Sequence, residues 1–212
     1  MNIPLAVFDI ETGPLDPEWQ LATFEPEFKA DGRLKDPEKI AADIDAKASA
    51  WIEDSPLRAE RGQVLAIGYS FNGKDVQISS GDDESEILRC FTQMLATHSD
   101  KLTFAGFNIL CFDLPFIRRR CVILGIPFPY YNQRDKWNPW KFETYDAMVD
   151  WQSGNRQDSI SLDKLARGLG VGKKNGNGAM FHKLLKTDPG AAMGYLENDV
   201  LTTYAVCEKL LS

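Results

Sequence analysis

The sequence predicts an α/β protein: one mixed five-stranded sheet with helices on both faces. Three observations carry this reading. Apolar runs of strand length open the chain at about 4–11 and recur near 63–71, 74–80, 101–108 and 142–147. Segments of helical periodicity follow or separate the later runs. One adjacent pair of runs flanks Asn72-Gly73 and reads as a hairpin, and the runs after it alternate with helices as βα units. At 212 residues the chain is most simply a single domain, 1–212, long enough for a full core.

The elements follow in order. "AVFDIETGPL" (6–15) is strand-like, with Val7, Phe8 and Ile10 as buried positions. Residues 16–60 are too long for an ordinary connection. They contain a helical stretch, 36–54, with Pro37 near its start, and are predicted to form an acidic helical insertion, a flap beside the first strand. "QVLAIGYSF", Asn72-Gly73 and "KDVQISS" predict a hairpin with a type I′ turn. Residues 83–97 form an amphipathic helix pattern, followed by the strand "KLTFAGFN". "DLPFIRRRCVILG" (113–125) is a helix, with Asp113 as N-cap, Pro115 in the first turn and Gly125 as stop. Further helices are predicted near 161–169, 179–186 and 189–211. In the last, Met193, Leu196, Val200, Tyr204, Cys207 and Leu211 make the apolar stripe, with Tyr195 and Asp199 beside it at i and i+4.

Composition is that of an ordinary soluble globular protein, 43% hydrophobic and 26% charged. No run approaches the ~18 apolar residues of a membrane span and no basic-then-apolar leader opens the chain, so a cytoplasmic protein without membrane contact is expected. Cys90, Cys111, Cys121 and Cys207 have no zinc spacing and read as reduced thiols; His98 and His182 read as surface histidines.

The net charge of −7 is unevenly spread. Residues 16–60 hold twelve Asp/Glu and six Lys/Arg, a local −6. Residues 114–142 hold Arg118, Arg119, Arg120, Arg134, Lys136 and Lys141 against Asp135, a local +5. Residues 164–186 hold Lys164, Arg167, Lys173, Lys174, Lys183 and Lys186 with no acid, a local +6. Such basic blocks are either solvated faces or sites for a polyanion such as nucleic acid. Trp137 and Trp140, between Lys136 and Lys141, either pack in a crevice or stack on bases.

Asp9 and Glu11 pose a sharper question. Alternate strand residues share a face, so these carboxylates point the same way roughly 6–7 Å apart along the chain. Burying both costs several kcal/mol per ion unless something pairs them. Water at a strand end, basic partners and a cation are the three solutions. Asp113 begins a helix directly after a strand, where α/β sheets place ligands, and Asp199 lies beside a tyrosine on a late helix. Four carboxylates from three separated segments suit a pair of hard divalent cations, which want oxygen ligands. Such a pair serves phosphoryl displacement.

These residues resemble a known family. "FDIETGPL" resembles the first motif of the DEDD (DnaQ-like) 3′–5′ exonucleases, "NILCFD" (108–113) the second, and "YLEND" (195–199) the third in its tyrosine form. The histidine form would place histidine where Gly194 stands. "LKDPEKI" (34–40) and "GQVLAIGYSFNGKDV" (62–76) are similar to stand-alone relatives of the exonuclease domain of family B DNA polymerases; no polymerase domain is expected.

The resemblance implies a ribonuclease H-like fold and two divalent ions, Mg²⁺ or Mn²⁺. It implies that Asp9, Glu11 and Asp199 bind the metal that activates water, with Asp9 bridging both ions and Asp113 serving the second. It gives Tyr195 the orientation of the attacking water, and Thr12, Leu15, Asn108 and Phe112 the terminal nucleotide. Pro14, between Gly13 and Leu15, departs from the family pattern.

"GLGVGKKNGNG" (168–178) is not a Walker loop: Arg167 and Lys174 occupy the places of its first Gly and its Ser/Thr. It reads as a helix stop and a basic loop, with Lys173 and Lys174 toward a nucleic-acid backbone. The sequence therefore predicts a metal-dependent 3′–5′ exonuclease acting on single-stranded DNA and releasing nucleoside 5′-monophosphates. The alternatives are an exoribonuclease on RNA ends and an inactive nucleic-acid-binding module of the same fold.

Overall fold

A five-stranded sheet in the order β3-β2-β1-β4-β5 organises the chain. The structure, a computed structural model, describes residues 4–128, 142–172 and 181–212. The strands are β1 (Leu5–Pro14), β2 (Gly62–Ser70), β3 (Gln77–Ser80), β4 (Thr103–Gly106) and β5 (Thr144–Asp146). The β1–β2 and β2–β3 pairs are antiparallel; β1–β4 and β4–β5 are parallel. The helices are α1 (Pro17–Phe24), α2 (Pro37–Glu53), α3 (Glu84–His98), α4 (Asp113–Ile123), α5 (Ala147–Gln152), α6 (Leu162–Leu169), α7 (Phe181–Thr187) and α8 (Pro189–Leu211). A 3-10 turn, η1, covers Ser55–Leu57.

Two apolar layers sandwich the sheet. Ala6, Phe8 and Ile10 of β1 pack with Ile87, Leu88 and Phe91 of α3 and with Leu114 and Ile117 of α4. The alternate residues Leu5 and Val7 pack with α5, α6, α7 and α8. This period of two also fixes the direction of Asp9 and Glu11: they continue the Leu5–Val7 line toward α8. A buried Arg120–Glu84 ion pair (2.7 Å) ties α4 to α3. Arg120 also donates to Ala59 O, and Glu84 accepts from the Val64 amide, both at 2.8 Å.

Several local expectations change. Strands β2 and β3 are separated by residues 71–76, not by a two-residue type I′ turn. Such a turn needs positive φ at both central residues, and in this connection only Gly73 has it (66°). Asn72 Oδ1 accepts from the Lys74 and Asp75 amides (2.9 and 3.0 Å), a local side-chain turn that widens the connection. Asp113 is the first residue of α4, not its N-cap, which is Phe112. The buried face of α8 is wider than the predicted stripe. It includes Ala192, Tyr195, Asp199, Thr202 and Val206, whereas Leu211 is exposed, because the helix packs against the sheet and against α5, α6 and α7 together.

His98 and His182 are partly exposed. The first packs on the Phe71 ring (5.0 Å) and the second lies against β1 beside Gly13. All four cysteines are free. Burial pushes the thiols of Cys121 and Cys207 up to about 12. Among the described residues no helix is long and apolar enough to cross a membrane.

Candidate active site

β1 outruns its parallel neighbour. The β1–β4 pairing ends at Val7↔Ala105, whereas β1 continues to Pro14. The Ile10 amide is met instead by a side chain: it donates to Asp113 Oδ1 (3.2 Å). Asp113 therefore completes an interrupted ladder as well as opening α4, and this is why it does not cap the helix.

The turn that delivers Asp113 is tightly made. A Cβ at Gly106 would collide with Ile109 Cγ2 and lie 2.9 Å from Phe8 O, so only glycine fits there. Asn108 then takes the left-handed conformation (φ 65°), which asparagine tolerates better than most residues. Asp146 holds this turn. Its carboxylate accepts from the Asn108 and Leu110 amides (2.9 and 3.0 Å) and from the Met148 amide at the start of α5 (3.0 Å).

On the other side, Asp9 and Glu11 meet α8. One carboxylate oxygen each from Asp9, Glu11 and Asp199 lies within 4.8 Å of the others. Glu11 and Asp199 are buried and Asp9 is half-buried. The approach of α8 depends on Gly68, the cross-strand partner of Asp9: a Cβ there would lie 3.0 Å from Leu196 Cγ and from Val200 Cγ2. Between Glu11 and Thr12 the β2 partner moves from Ala66 to Val64, leaving Leu65 as an extra residue, a bulge at the carboxylates.

Asp9, Glu11, Asp113, Asp199 and Tyr195 line one open cleft of ≈ 450 Å³. Thr12, Asn108 and Phe112 line it as well. Leu15 does not: its amide donates to Arg61 O (3.0 Å) and its carbonyl accepts from Gln20 Nε2 (2.8 Å). Lys173 and Lys174 lie outside the described residues, as do Arg134, Lys136, Trp137, Trp140 and Lys141. Arg120, grouped by sequence with a basic surface block, belongs to the core through Glu84. Arg119 is exposed and Arg118 half-buried.

Electrostatics mark the cleft as strongly anionic. Burial, the charge of Asp9 and, more weakly, that of Asp146 push the Asp113 carboxyl well above the ordinary range, against the Ile10 N–H that lowers it. Burial and then Asp199, Glu11 and Asp9 push the Tyr195 hydroxyl up, so it stays protonated at neutral pH. A convergent, all-oxygen, anionic donor set fits a hard divalent cation such as Mg²⁺ or Mn²⁺.

Sequence reasoning missed Asp146 and the η1 corner. Asp146 carries the ordinary N-cap signature, an Asp before a helix, but α5 is only six residues long and gives too little periodicity to find. Pro56 and Leu57 line the cleft although they lie over forty positions from Glu11.

A family model described as "Predicted 3'-5' exonuclease related to the exonuclease domain of PolB" matches residues 65–211. Among solved structures, the family B DNA polymerase of the hyperthermophilic archaeon Pyrobaculum calidifontis matches with a TM-score of 0.64 at 19% identity. That match covers 100% of this chain and 25% of the polymerase chain. The likeness shows the fold, the ribonuclease H-like sheet of a polymerase exonuclease domain. No curated protein matches the sequence.

Proposed function

The chain belongs to the family of predicted 3′–5′ exonucleases related to the exonuclease domain of PolB, and from that premise we propose that it is an active exonuclease of the tyrosine (DEDDy) type. In this reading, residues 1–212 form one domain that removes nucleoside 5′-monophosphates from the 3′ end of single-stranded DNA. One observation carries the proposal: carboxylates from β1 and α8 converge within 4.8 Å, in a cleft that also holds Asp113 and Tyr195.

Asp9, Glu11 and Asp199 would hold one divalent ion, and Asp113, whose carboxyl feels the charge of Asp9, would help to hold a second. When bound, the two ions supply charge neutralisation at the scissile phosphate and a nucleophile at neutral pH. The remaining work falls to the chain itself. Tyr195 keeps its proton and donates it in a hydrogen bond to the Asp199 carboxylate, so its hydroxyl oxygen would orient water by accepting a hydrogen bond rather than by abstracting a proton. The amide ladder from Asp146 fixes Asn108 and hence the turn that carries Phe112 and Asp113, which supports a role for Asn108 and Phe112 beside the terminal nucleotide. Thr12 is set by donation of its hydroxyl to Pro56 O (2.7 Å). Lys173 and Lys174 would meet the phosphate backbone, and the acidic residues 16–60 would repel a second strand.

The test is direct. Single-stranded DNA and RNA labelled at the 5′ end are incubated with Mg²⁺, Mn²⁺ or chelator, beside Asp199→Ala. A metal-dependent ladder shortening from the 3′ end of DNA, absent in the variant, is expected. Cleavage of a closed circular strand, or undiminished cleavage in chelator, would refute it. Faster shortening of RNA would move the substrate to RNA ends.

A further inference from the structure

Helix α1 is turned inside out. Its one buried residue is Gln20, which is fully enclosed and donates through Nε2 to Leu15 O (2.8 Å) and to Ser55 Oγ (3.3 Å). Trp19, Leu21 and Phe24 are left outside, 45, 40 and 40% exposed. A buried glutamine beside three exposed large apolar residues is the reverse of what folding alone favours. The exposed rings are also held in place. Trp19 meets Phe24 edge-on (centroids 5.9 Å apart), Phe24 meets Trp51 of α2 (6.3 Å), and Phe28 meets the same Trp51 (6.2 Å). The buried Arg61 guanidinium lies over the Trp51 ring, 4.0 Å from its centre. This aromatic layer is ordered before anything covers it, so a partner would lose little side-chain entropy in binding there.

Charge identifies the partner. Between Asp16 and Glu27 the chain carries Asp16, Glu18, Glu25 and Glu27 and neither Lys nor Arg, and all four carboxylates are exposed. Glu25 adopts the left-handed conformation (φ 43°), a position where glycine is favoured. A carboxylate beside Phe24 is thus kept at the cost of backbone strain. Such a surface repels a phosphate backbone and an anionic bilayer. A two-fold contact with a second copy would set the same acids against each other. It is complementary to positive charge arranged around apolar anchors. We infer that α1, with the aromatic layer behind it, docks a basic amphipathic segment of a partner protein. α1 begins three positions after Pro14, the end of the strand that carries Asp9 and Glu11, so the partner is held close to the carboxylate cleft.

A short peptide of leucine and lysine, patterned to present one apolar face as a helix, is the probe. Its controls are the same residues in scrambled order and the same pattern with glutamate for lysine. Binding is read by calorimetry at low salt. The parent should bind the patterned lysine peptide at least about tenfold more tightly than either control. Leu21→Ser should weaken that binding roughly 3- to 20-fold, the size of the apolar surface this leucine leaves exposed. Glu18→Gln/Glu25→Gly should weaken it roughly 2- to 20-fold. Asp100→Asn/Glu208→Gln, an equal change of net charge at other exposed positions, should weaken it less than about twofold. Glycine relieves the left-handed position, so the Glu25 variant should melt no lower than the parent, which separates lost binding from lost folding. No binding of the patterned peptide, equal binding of the scrambled one, or equal weakening by the two charge pairs would overturn the docking site. A dimer seen by sedimentation and dissolved by Leu21→Ser would give the face to a second copy and overturn it as well.

Discussion

Asp199→Asn should stabilise the metal-free protein and remove its response to metal. Asp199 is 2% exposed, and its carboxylate shares a space within 4.8 Å with those of Asp9 and Glu11. At an effective dielectric of about 20, two like charges at that distance repel by roughly 3.5 kcal/mol. Asp199 takes part in two of the three pairs, so the gross repulsion it adds is about 7 kcal/mol. The cluster has an escape: taking up one proton at pH 7 costs a carboxyl of ordinary pKa about 4 kcal/mol. That escape caps the relief available to the variant, which should gain about 1–4 kcal/mol. The amide keeps the size of the side chain and its oxygen can still accept from the Tyr195 hydroxyl, so neither a cavity nor a lost partner offsets the gain. For a chain of this length each kcal/mol moves the melting temperature by about 2–4 °C. Thermal unfolding in chelator should therefore show the variant melting roughly 2–16 °C above the parent. Metal should close the gap, and reverse it wherever the variant's gain is below about 2.7 kcal/mol. At one hundred times its Kd a bound ion raises the parent by about 2.7 kcal/mol, and the variant should respond far less. A variant that melts lower than the parent in chelator, or that keeps the full metal response, would refute the repulsive-cluster account.

Tyr195→Phe keeps the ring and removes the hydroxyl; metal affinity by calorimetry should survive while the single-turnover rate falls about 10- to 10³-fold. Glu84→Gln or Arg120→Met strands a buried charge and should cost about 3–5 kcal/mol in urea unfolding, whereas replacing both with apolar residues should cost much less. Asp113 gives a pH test in chelator. Its folded pKa is raised, so the native state keeps a proton that the unfolded chain has lost. The stability it contributes is present below the ordinary carboxyl pKa of 3.8 and is lost as pH rises toward the raised folded value. Melting curves across this window should decline more steeply with pH for the parent than for Asp113→Asn.

The fold was legible wherever a single period ruled. Leu5 to Ile10 alternate between two covered faces, and α3 and α8 each bury one long side, so both types of element announce themselves. The carboxylates were legible because charge interrupts those patterns at Asp9, Glu11 and Asp199. What could not be read were features that depend on where another segment stops. Asp113 resembled a cap until β4 proved too short to occupy the Ile10 amide. Arg120 resembled surface charge because its partner Glu84 lies 36 residues away. Leu57 carried no signal at all, since an exposed leucine in a short turn is common and only the fold brings it to the cleft of Glu11.

Gly68 has a consequence for dimensions. The residue opposite Asp9 is the one on which Leu196 and Val200 rest, so the distance between strand and helix is set by a missing methyl group. The ligands themselves do not choose their separation; it is inherited from how closely α8 is allowed to lie. Lengthening that gap by a few tenths of an ångström, with alanine at position 68, would enlarge the cage without altering a donor atom. Between hard cations that differ chiefly in radius and tolerance of geometry, such as Mg²⁺ and Ca²⁺, the gauge of the cage is what discriminates. In the metal-binding reading proposed above, ion choice would thus be tuned on the same face of the sheet, one strand away from Asp9, at a residue that lends no ligand.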